Sequence, residues 1–188
     1  MSDLFASAGL ANTAPRPLAD ALRPKTLAEV VGQEHLTGPD GALTRLLNAR
    51  SFGSLVFWGP PGTGKTTVAR LLAHETDLHF EQISAIFSGI AELRKVFDAA
   101  RGRRATGRGT LLFVDEIHRF NRAQLDAFLP VMEDGTVTLV GATTENPSFE
   151  LNAALLSRAR VLLFRALDDA AIAKLLVRAE ALTGQPLP

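Results

Sequence analysis

From Ser54 onward, short continuous runs of apolar residues alternate with segments whose apolar residues recur every three or four positions. The continuous runs have the length of strands, whereas the second spacing is typical of helices with one buried face. The runs predict five strands, at Ser54–Trp58, His79–Ile83, Thr110–Val114, Thr136–Gly141 and Val161–Phe164. Because strands this apolar are covered on both faces, the pattern predicts an α/β fold with a parallel five-stranded sheet between helices.

Helical spacing is clearest in four segments that lie between or after these strands. A shorter helix is predicted over Asn152–Ser157, and Gly135 is placed to end the third long helix. The apolar faces of the four long helices are predicted at Val68, Leu71 and Leu72; Leu93, Val96, Phe97 and Ala100; Leu125, Phe128, Leu129 and Met132; and Ile172, Leu175, Leu176 and Ala179.

The two ends of the chain differ from this alternating region. Residues 1–20 are rich in alanine, serine and proline and show no periodicity, so we predict a flexible leader. Residues 21–166 hold the α/β core. Asp168 can cap one more helix, and residues 167–188 therefore predict the beginning of a second domain that is cut short.

Composition narrows the class of protein. The 188 residues include 20 basic and 20 acidic side chains, and this balance predicts no strong general attraction to nucleic acid, although a local patch stays possible. The sequence has no cysteine, which excludes disulfides and fits a reducing compartment. No apolar run approaches the roughly 18 residues of a membrane helix. We therefore expect a cytoplasmic protein without a membrane partner.

Residues 59–66, Gly-Pro-Pro-Gly-Thr-Gly-Lys-Thr, form a phosphate-binding loop between a predicted strand and a predicted helix. The glycines let backbone N–H groups approach phosphate oxygens, and the helix that follows directs its positive dipole end at the same anion. Lys65 can reach the outer phosphates, and the Thr66 hydroxyl can ligate Mg²⁺. A purely structural glycine turn is the alternative, but the complete pattern in this context argues against it. We predict ATP or ADP and Mg²⁺ as ligands, with contacts from Gly59, Pro60, Pro61, Gly62, Thr63, Gly64, Lys65, Thr66 and Thr67.

Two acids, Asp115 and Glu116, directly follow the third predicted strand. Ligands of such sheets bind at the carboxyl ends of the strands, so both acids are expected beside the phosphate loop. Asp115 is suited to hold Mg²⁺, and Glu116 is suited to polarise a water for attack on the γ-phosphate. Without the loop, two acids in this position would more often cap a helix.

Three further positions carry candidate chemistry with open alternatives. Thr143 and Thr144 follow the fourth predicted strand, where a hydroxyl could position the attacking water or satisfy backbone groups. Arg158 has no evident partner in its own chain, so it is either a finger for a neighbour's site or part of a surface salt bridge. His118 lacks a second histidine at ligand spacing, so we expect a hydrogen-bonding role beside the acids rather than zinc binding.

The segment from Arg101 to Gly109 is predicted to be a basic, glycine-containing loop. Such a loop could contact DNA phosphates or simply connect two elements in solvent. The second interpretation is favoured because no aromatic residue is interleaved to stack on bases.

Together these motifs resemble an AAA+ ATPase of the clamp-loader clade, with a P-loop NTPase core. That resemblance is carried by residues 59–66, 111–116, 141–144 and 156–158. Four segments are more narrowly similar to the replication-associated recombination protein A family, also called MgsA, which has the Werner-interacting ATPase as a eukaryotic relative. They are residues 23–27, 30–36, 115–121 and 141–160.

The resemblance implies roles for single residues and for the protein. It implies that Val31 borders the adenine, that Thr144 occupies the sensor-one position and that Arg158 is a finger acting across a subunit interface. It further implies an ATPase that responds to DNA ends or gaps at stalled or gapped replication forks, associates with single-stranded-DNA-binding protein near the nucleoid and works as a homo-tetramer. Members of the family continue through a complete helical lid and an oligomerisation region, so a truncated lid is expected here.

Two other functions stay open. A branch-migration motor similar to RuvB shares the run Asp-Glu-Ile-His-Arg, but Phe120-Asn121 and the segment Glu145 to Phe149 argue against it. A nucleotide-gated DNA-binding module with little hydrolysis is the second alternative, and an intact Glu116 argues against that one.

Overall fold

The computed structural model describes residues 16–50 and 52–187. Contacts divide the chain into two units, a larger one from Pro24 to Asp168 and a smaller one that includes residues 16–23 and 169–187. Residues 1–15 of the predicted leader lie outside the described residues, and Leu18–Ala21 forms a short exposed helix, α1.

The larger unit contains one parallel sheet of five strands in the order β2-β3-β4-β1-β5. This confirms the predicted fold class. The observed bounds differ from the predicted ones by one to two residues at several strand ends, where apolar patterning is weakest. The strands are β1 Ser54–Trp58, β2 His79–Ser84, β3 Thr110–Asp115, β4 Val137–Thr143 and β5 Ala159–Leu163.

Helices precede, connect and follow these strands. Within residues 16–50 and 52–187, two of them are short 3₁₀ helices, at Leu27–Glu29 and Ile117–Arg119. After α1, the α-helices are α2 Glu34–Thr37, α3 Ala42–Asn48, α4 Lys65–Glu75, α5 Ile90–Ala105, α6 Arg122–Glu133, α7 Pro147–Glu150, α8 Ala153–Ser157 and α9 Asp169–Thr183.

Apolar side chains cover both faces of the sheet. Along β1, Leu55 and Phe57 enter the cluster that contains α4, whereas Val56 enters the cluster that contains α5 and α6. This two-residue alternation follows from the pleat of a strand. Since both faces are packed, the polar ligand-binding groups of the sheet are confined to the ends of its strands.

The basic segment that begins at Arg101 is helical rather than a loop, because α5 continues to Ala105. Arginine is a good helix former, and one interior glycine costs only about 1 kcal/mol, so the helix continues to Ala105 and ends just before Gly107, whose φ is +88°. The loop prediction is therefore wrong for residues 101–105.

Acidic partners neutralise much of this basic segment. Arg101 pairs with Asp98, Arg103 pairs with Glu81, and Arg104 lies 3.8 Å from Asp134. Pairing with protein carboxylates favours the interpretation as a solvated connection over a phosphate-binding surface.

Helix α9 belongs to the smaller unit. It buries Ala171 and Ala179, while Ile172 and Leu176 of its predicted apolar face are exposed. Among the described residues, no helix combines the length and the apolar character needed to cross a bilayer.

Candidate functional site

The loop between β1 and α4 adopts backbone conformations that favour glycine. Gly62 and Gly64 have φ values of +73° and +92°. A Cβ atom on Gly59 would lie 2.3 Å from the carbonyl oxygen of Phe164, so the chain can pass there only without a side chain. Helix α4 then begins at Lys65, and no side chain caps its first turn. The backbone N–H groups of that turn can therefore serve an anion, which fits the phosphate-binding motif.

The Lys65 side chain folds back over this loop. Its Nζ donates hydrogen bonds to the carbonyl oxygens of Gly59 at 2.7 Å and Pro60 at 2.6 Å. Partial burial lowers the pKa of Lys65, and the negative charges of Asp115 and Glu116 oppose that shift. The lysine thus lies within electrostatic reach of both acids that the sequence placed at this edge of the sheet.

An open cleft of about 320 Å³ gathers most of the predicted site residues. Its lining combines the phosphate loop, the start of α4, the end of β3 and the residue after β4. The lining residues are Pro61, Gly62, Thr63, Gly64, Lys65, Thr66, Thr67, Asp115, Glu116 and Thr144.

The end of β3 turns sharply at the two acids. Asp115 is the last residue of the strand, and Glu116 follows with a φ of +54°, which is uncommon for a residue other than glycine. Asp115 Oδ1 accepts the N–H of Glu116 at 3.0 Å. The turn lets two consecutive carboxylates line one cleft, although neighbouring residues of a strand point to opposite faces.

His118 lies on the 3₁₀ helix Ile117–Arg119, which follows Glu116 directly in the sequence. Its Nε2 is 3.4 Å from Glu116 Oε2, and its Nδ1 is 2.8 Å from the Thr143 hydroxyl. The His118 side chain is only 7% exposed. This contact places the histidine beside the acids, as its position in the sequence predicted.

The structure separates the two candidate threonines. Thr143 was predicted to follow the fourth strand, but β4 extends through it, and its side chain is buried against His118. Its carbonyl oxygen accepts the N–H of Gly59 at 3.1 Å, which joins β4 to the phosphate loop. Thr144, one residue later, lines the cleft.

Val31 is buried and is not among the described residues that line the cleft. Its neighbour Gln33, which sequence reasoning missed, is fully buried. The Gln33 amide donates to the carbonyl oxygens of Thr63 at 3.3 Å and Arg165 at 2.7 Å, and its oxygen accepts the N–H of Arg165 at 3.0 Å. Gln33 therefore ties the phosphate loop to the segment after β5, through contacts that no local pattern signals.

Arg158 lies at the other end of the strands. The next residue, Ala159, pairs with Ser54 at the start of β1, whereas the cleft lies beyond the end of β1 at Trp58. Four residue steps separate these two ends of β1, or about 13 Å. The structure does not bring Arg158 into the cleft of its own chain.

The Arg158 guanidinium has partners nearby. Its Nε donates to Glu133 Oε1 at 2.7 Å, and its Nη1 donates to the carbonyl oxygen of Ala154 at 2.8 Å. The expectation that Arg158 lacks a partner in its own chain is wrong. Glu133 ends α6, and packing of α6 beside α8 brings it to the arginine from 25 residues away.

Comparison with known proteins shows which family this chain matches. Residues 55–167 match the model of AAA, the ATPase family associated with various cellular activities. Over 164 residues the chain is 52% identical to replication-associated recombination protein A of Escherichia coli, an alignment that covers 87% of this chain and 37% of that protein. It is also 45% identical over 145 residues to ATPase WRNIP1 of Dictyostelium discoideum, covering 77% and 17%. These identities confirm the resemblance that the motifs indicated.

A solved structure shares the fold. The RuvB Holliday junction branch migration motor of Thermotoga maritima superposes with a TM-score of 0.71 at 30% identity, covering 87% of this chain and 55% of that chain. This chain therefore spans little more than a third of the length of its bacterial relative and about half of the motor.

Proposed function

Because this chain belongs to the AAA family of ATPases, we propose that it binds ATP with Mg²⁺ in the cleft beside the phosphate loop and hydrolyses the γ-phosphate. The observation that carries the proposal is the convergence of four side chains, Lys65, Asp115, Glu116 and Thr144, on one cleft at the carboxyl edge of the sheet. These groups come from three separate strand ends, and only the parallel sheet brings them together.

Binding of the phosphates follows from the loop and α4. The uncapped first turn of α4 offers N–H donors, and Lys65 exchanges its two carbonyl acceptors for phosphate oxygens, with which a charged amine forms stronger hydrogen bonds. The Thr66 hydroxyl and the Asp115 carboxylate are oxygen ligands of the kind that Mg²⁺ prefers, and both line the cleft. When bound there, Mg²⁺ would offset negative charge on the phosphate oxygens.

Hydrolysis requires an oriented water. The Glu116 carboxylate accepts a hydrogen bond from the water and draws its proton away as the oxygen attacks phosphorus. The Thr144 hydroxyl holds the same water or the γ-phosphate from the neighbouring strand end. Val31 is assigned to the adenine by resemblance alone.

We assign Arg158 to the cleft of a neighbouring chain in a homo-oligomer. Its position at the amino edge of the sheet keeps it out of its own cleft and leaves it on the surface, with a 37% exposed side chain. A guanidinium that enters a neighbour's site stabilises the negative charge of the transition state. A tetramer is the assembly that the family resemblance suggests.

The names of the relatives point to DNA replication and recombination as the setting of this ATPase. We propose action in the cytoplasm near the nucleoid, at stalled or gapped forks, with turnover stimulated by DNA and with single-stranded-DNA-binding protein as a partner. Helix α9 is assigned to a helical lid by the family resemblance. Branch migration is the second candidate, since the RuvB motor shares the fold; the 52% identity to the recombination protein against 30% to RuvB favours the first.

The proposal is tested by measuring ATP binding and phosphate release with the wild-type chain and with Glu116→Gln. We expect Glu116→Gln to bind Mg-ATP with an affinity within about threefold of the wild type and to lose turnover by about a hundredfold or more, because it keeps the shape of the side chain but not the base. Glu150→Gln, on the exposed end of α7, is the matched control.

Wild-type turnover in Glu116→Gln would exclude hydrolysis at this cleft. Tight nucleotide binding without phosphate release, with or without gapped DNA, would favour the nucleotide-gated module. Strand exchange on a four-way junction by the wild-type chain would favour the branch-migration motor.

A further inference from the structure

Glu116 is the most exposed member of a short chain of polar side chains that runs into the protein. The Glu116 side chain is 28% exposed, the His118 side chain is 7% exposed and Thr143 is 1% exposed. His118 Nε2 lies 3.4 Å from the carboxylate of Glu116, and His118 Nδ1 lies 2.8 Å from the hydroxyl of Thr143. The carboxylate at the cleft is thus linked through one imidazole to the end of β4.

The chemistry of the partners favours one position for the hydrogen on the His118 ring. Glu116 Oε2 lies 3.4 Å from His118 Nε2, and because a carboxylate only accepts hydrogen bonds, His118 can bond to it only through Nε2–H. In a neutral ring Nδ1 is then an acceptor, and the Thr143 hydroxyl, which also lies 3.2 Å from the carbonyl oxygen of Glu145, donates to the nearer Nδ1. The same hydroxyl oxygen accepts the N–H of Glu145 at 3.0 Å.

The backbone around this chain is firmly placed. Thr143 is the register partner of Trp58 in β1, and its carbonyl oxygen holds the N–H of Gly59. The turn that carries His118 packs closely on β4, because a Cβ atom on Gly141 would lie 2.7 Å from Ile117 Cδ1. His118 therefore meets Thr143 from a fixed position.

We propose that His118 is a positioning residue for Glu116, and that the Thr143 hydroxyl sets the tautomer in which His118 does so. The inference rests on the proposed hydrolysis in this cleft. A partly exposed glutamate has several side-chain rotamers, and the Nε2–H donor selects the one in which the carboxylate faces the attacking water. Loss of the donor should lower the rate of the chemical step and leave nucleotide binding unchanged.

Turnover of His118 variants separates this role from a packing role. We expect His118→Ala and His118→Asn to lower kcat by about tenfold or more, with KM and nucleotide Kd within about twofold of the wild type. The amide of His118→Gln reaches about as far as Nε2 and should restore at least half of the loss. Thr143→Val should lower kcat and Thr143→Ser should not. His74→Ala, an exposed histidine on α4, is the matched control.

Equal losses in His118→Ala and His118→Gln would indicate packing alone and overturn the proposal. Unchanged kcat in His118→Ala would overturn it as well, and so would a rise in KM at constant kcat.

The tautomer is measured without turnover by nitrogen-15 NMR of the wild-type chain, with His118→Gln to assign the His118 signals. We expect the neutral ring with hydrogen on Nε2, and a shift toward a mixture of tautomers in Thr143→Val. Hydrogen on Nδ1, or a tautomer indifferent to Thr143→Val, would overturn the inference. A wild-type chain that shows this tautomer but releases no phosphate would count against the proposed hydrolysis and leave the hydrogen-bonded arrangement standing.

Discussion

The two edges of the parallel sheet carry different arrangements of charge. At the carboxyl edge, Lys65, Asp115 and Glu116 line one cleft within a single chain. At the amino edge, Arg158 engages Glu133 on the surface. Because β1 and β5 run between the two edges, the sheet itself holds the arginine away from the cleft. Under the proposed function, such a chain prepares its own site, and its arginine would serve the site of a neighbour.

The two edges also differ in how far their charged side chains are shielded from water. Partial burial lowers the pKa of Lys65, so its charge is held in a partly dehydrated position. The Arg158 and Glu133 side chains are 37% and 54% exposed, and an ion pair this accessible contributes only about 0 to 1 kcal/mol. The carboxyl edge is therefore preorganised, whereas the contact at the amino edge is easily exchanged for another partner.

The largest expected effect follows from removing the cation of the carboxyl edge. Lys65→Ala should abolish detectable ATP binding at about 1 mM nucleotide, because the phosphates lose their charged donor. Calorimetry measures the binding, and Lys95→Ala, an exposed lysine of α5, is the control. Binding of ATP by Lys65→Ala at wild-type affinity would contradict the assignment of the cleft.

A second variant tests whether the amino edge serves another chain. Arg158→Ala should bind ATP normally and lose turnover by about a hundredfold or more. A mixture of Arg158→Ala and Lys65→Ala chains should regain part of the activity. In such a mixture the Lys65→Ala chain supplies the arginine, and the Arg158→Ala chain supplies the intact cleft. Phosphate release from the mixture is compared with the sum of the two separate samples; a mixture no more active than that sum would remove the finger role.

Gly53 and Gly59 flank β1 at its two ends, so alanine variants of them compare the two edges of the sheet by their free energy of unfolding. Gly59→Ala should lower the free energy of unfolding by about 2 kcal/mol or more, because its Cβ atom would meet the carbonyl oxygen of Phe164 at 2.3 Å. Gly53→Ala has no atom within 4 Å of the added carbon, and its effect should stay below about 1 kcal/mol. Urea unfolding of both variants measures the difference, and equal stabilities would show that the loop entry tolerates a side chain.

The smallest expected effect concerns the partner of Arg158. Glu133→Gln should change the free energy of unfolding by less than about 1 kcal/mol, because both charges are accessible to water. Thermal unfolding at low and high salt measures it. A loss of several kcal/mol would mean that Arg158 is locked in its own chain and unsuited to a neighbour's site.

The sequence by itself determined the sheet and the phosphate loop. Apolar runs of strand length fix which segments are covered on both faces, and glycine spacing fixes where the backbone can turn tightly, so Gly59 to Thr66 were readable from local pattern. Asp115 and Glu116 were placed beside the loop because carboxyl ends of parallel strands share one edge, and the cleft contains both.

Only the tertiary structure decided which distant groups meet. Gln33 joins Thr63 to Arg165, and Arg165 lies 132 residues after Gln33 in the sequence. No periodicity marks a buried amide that bonds to backbone atoms. The contacts of Arg158 with Glu133 and of His118 with Thr143 each span 25 residues. Such contacts depend on the strand order and on helix packing, which arise from the sum of many weak side-chain contacts across the core rather than from any local signal.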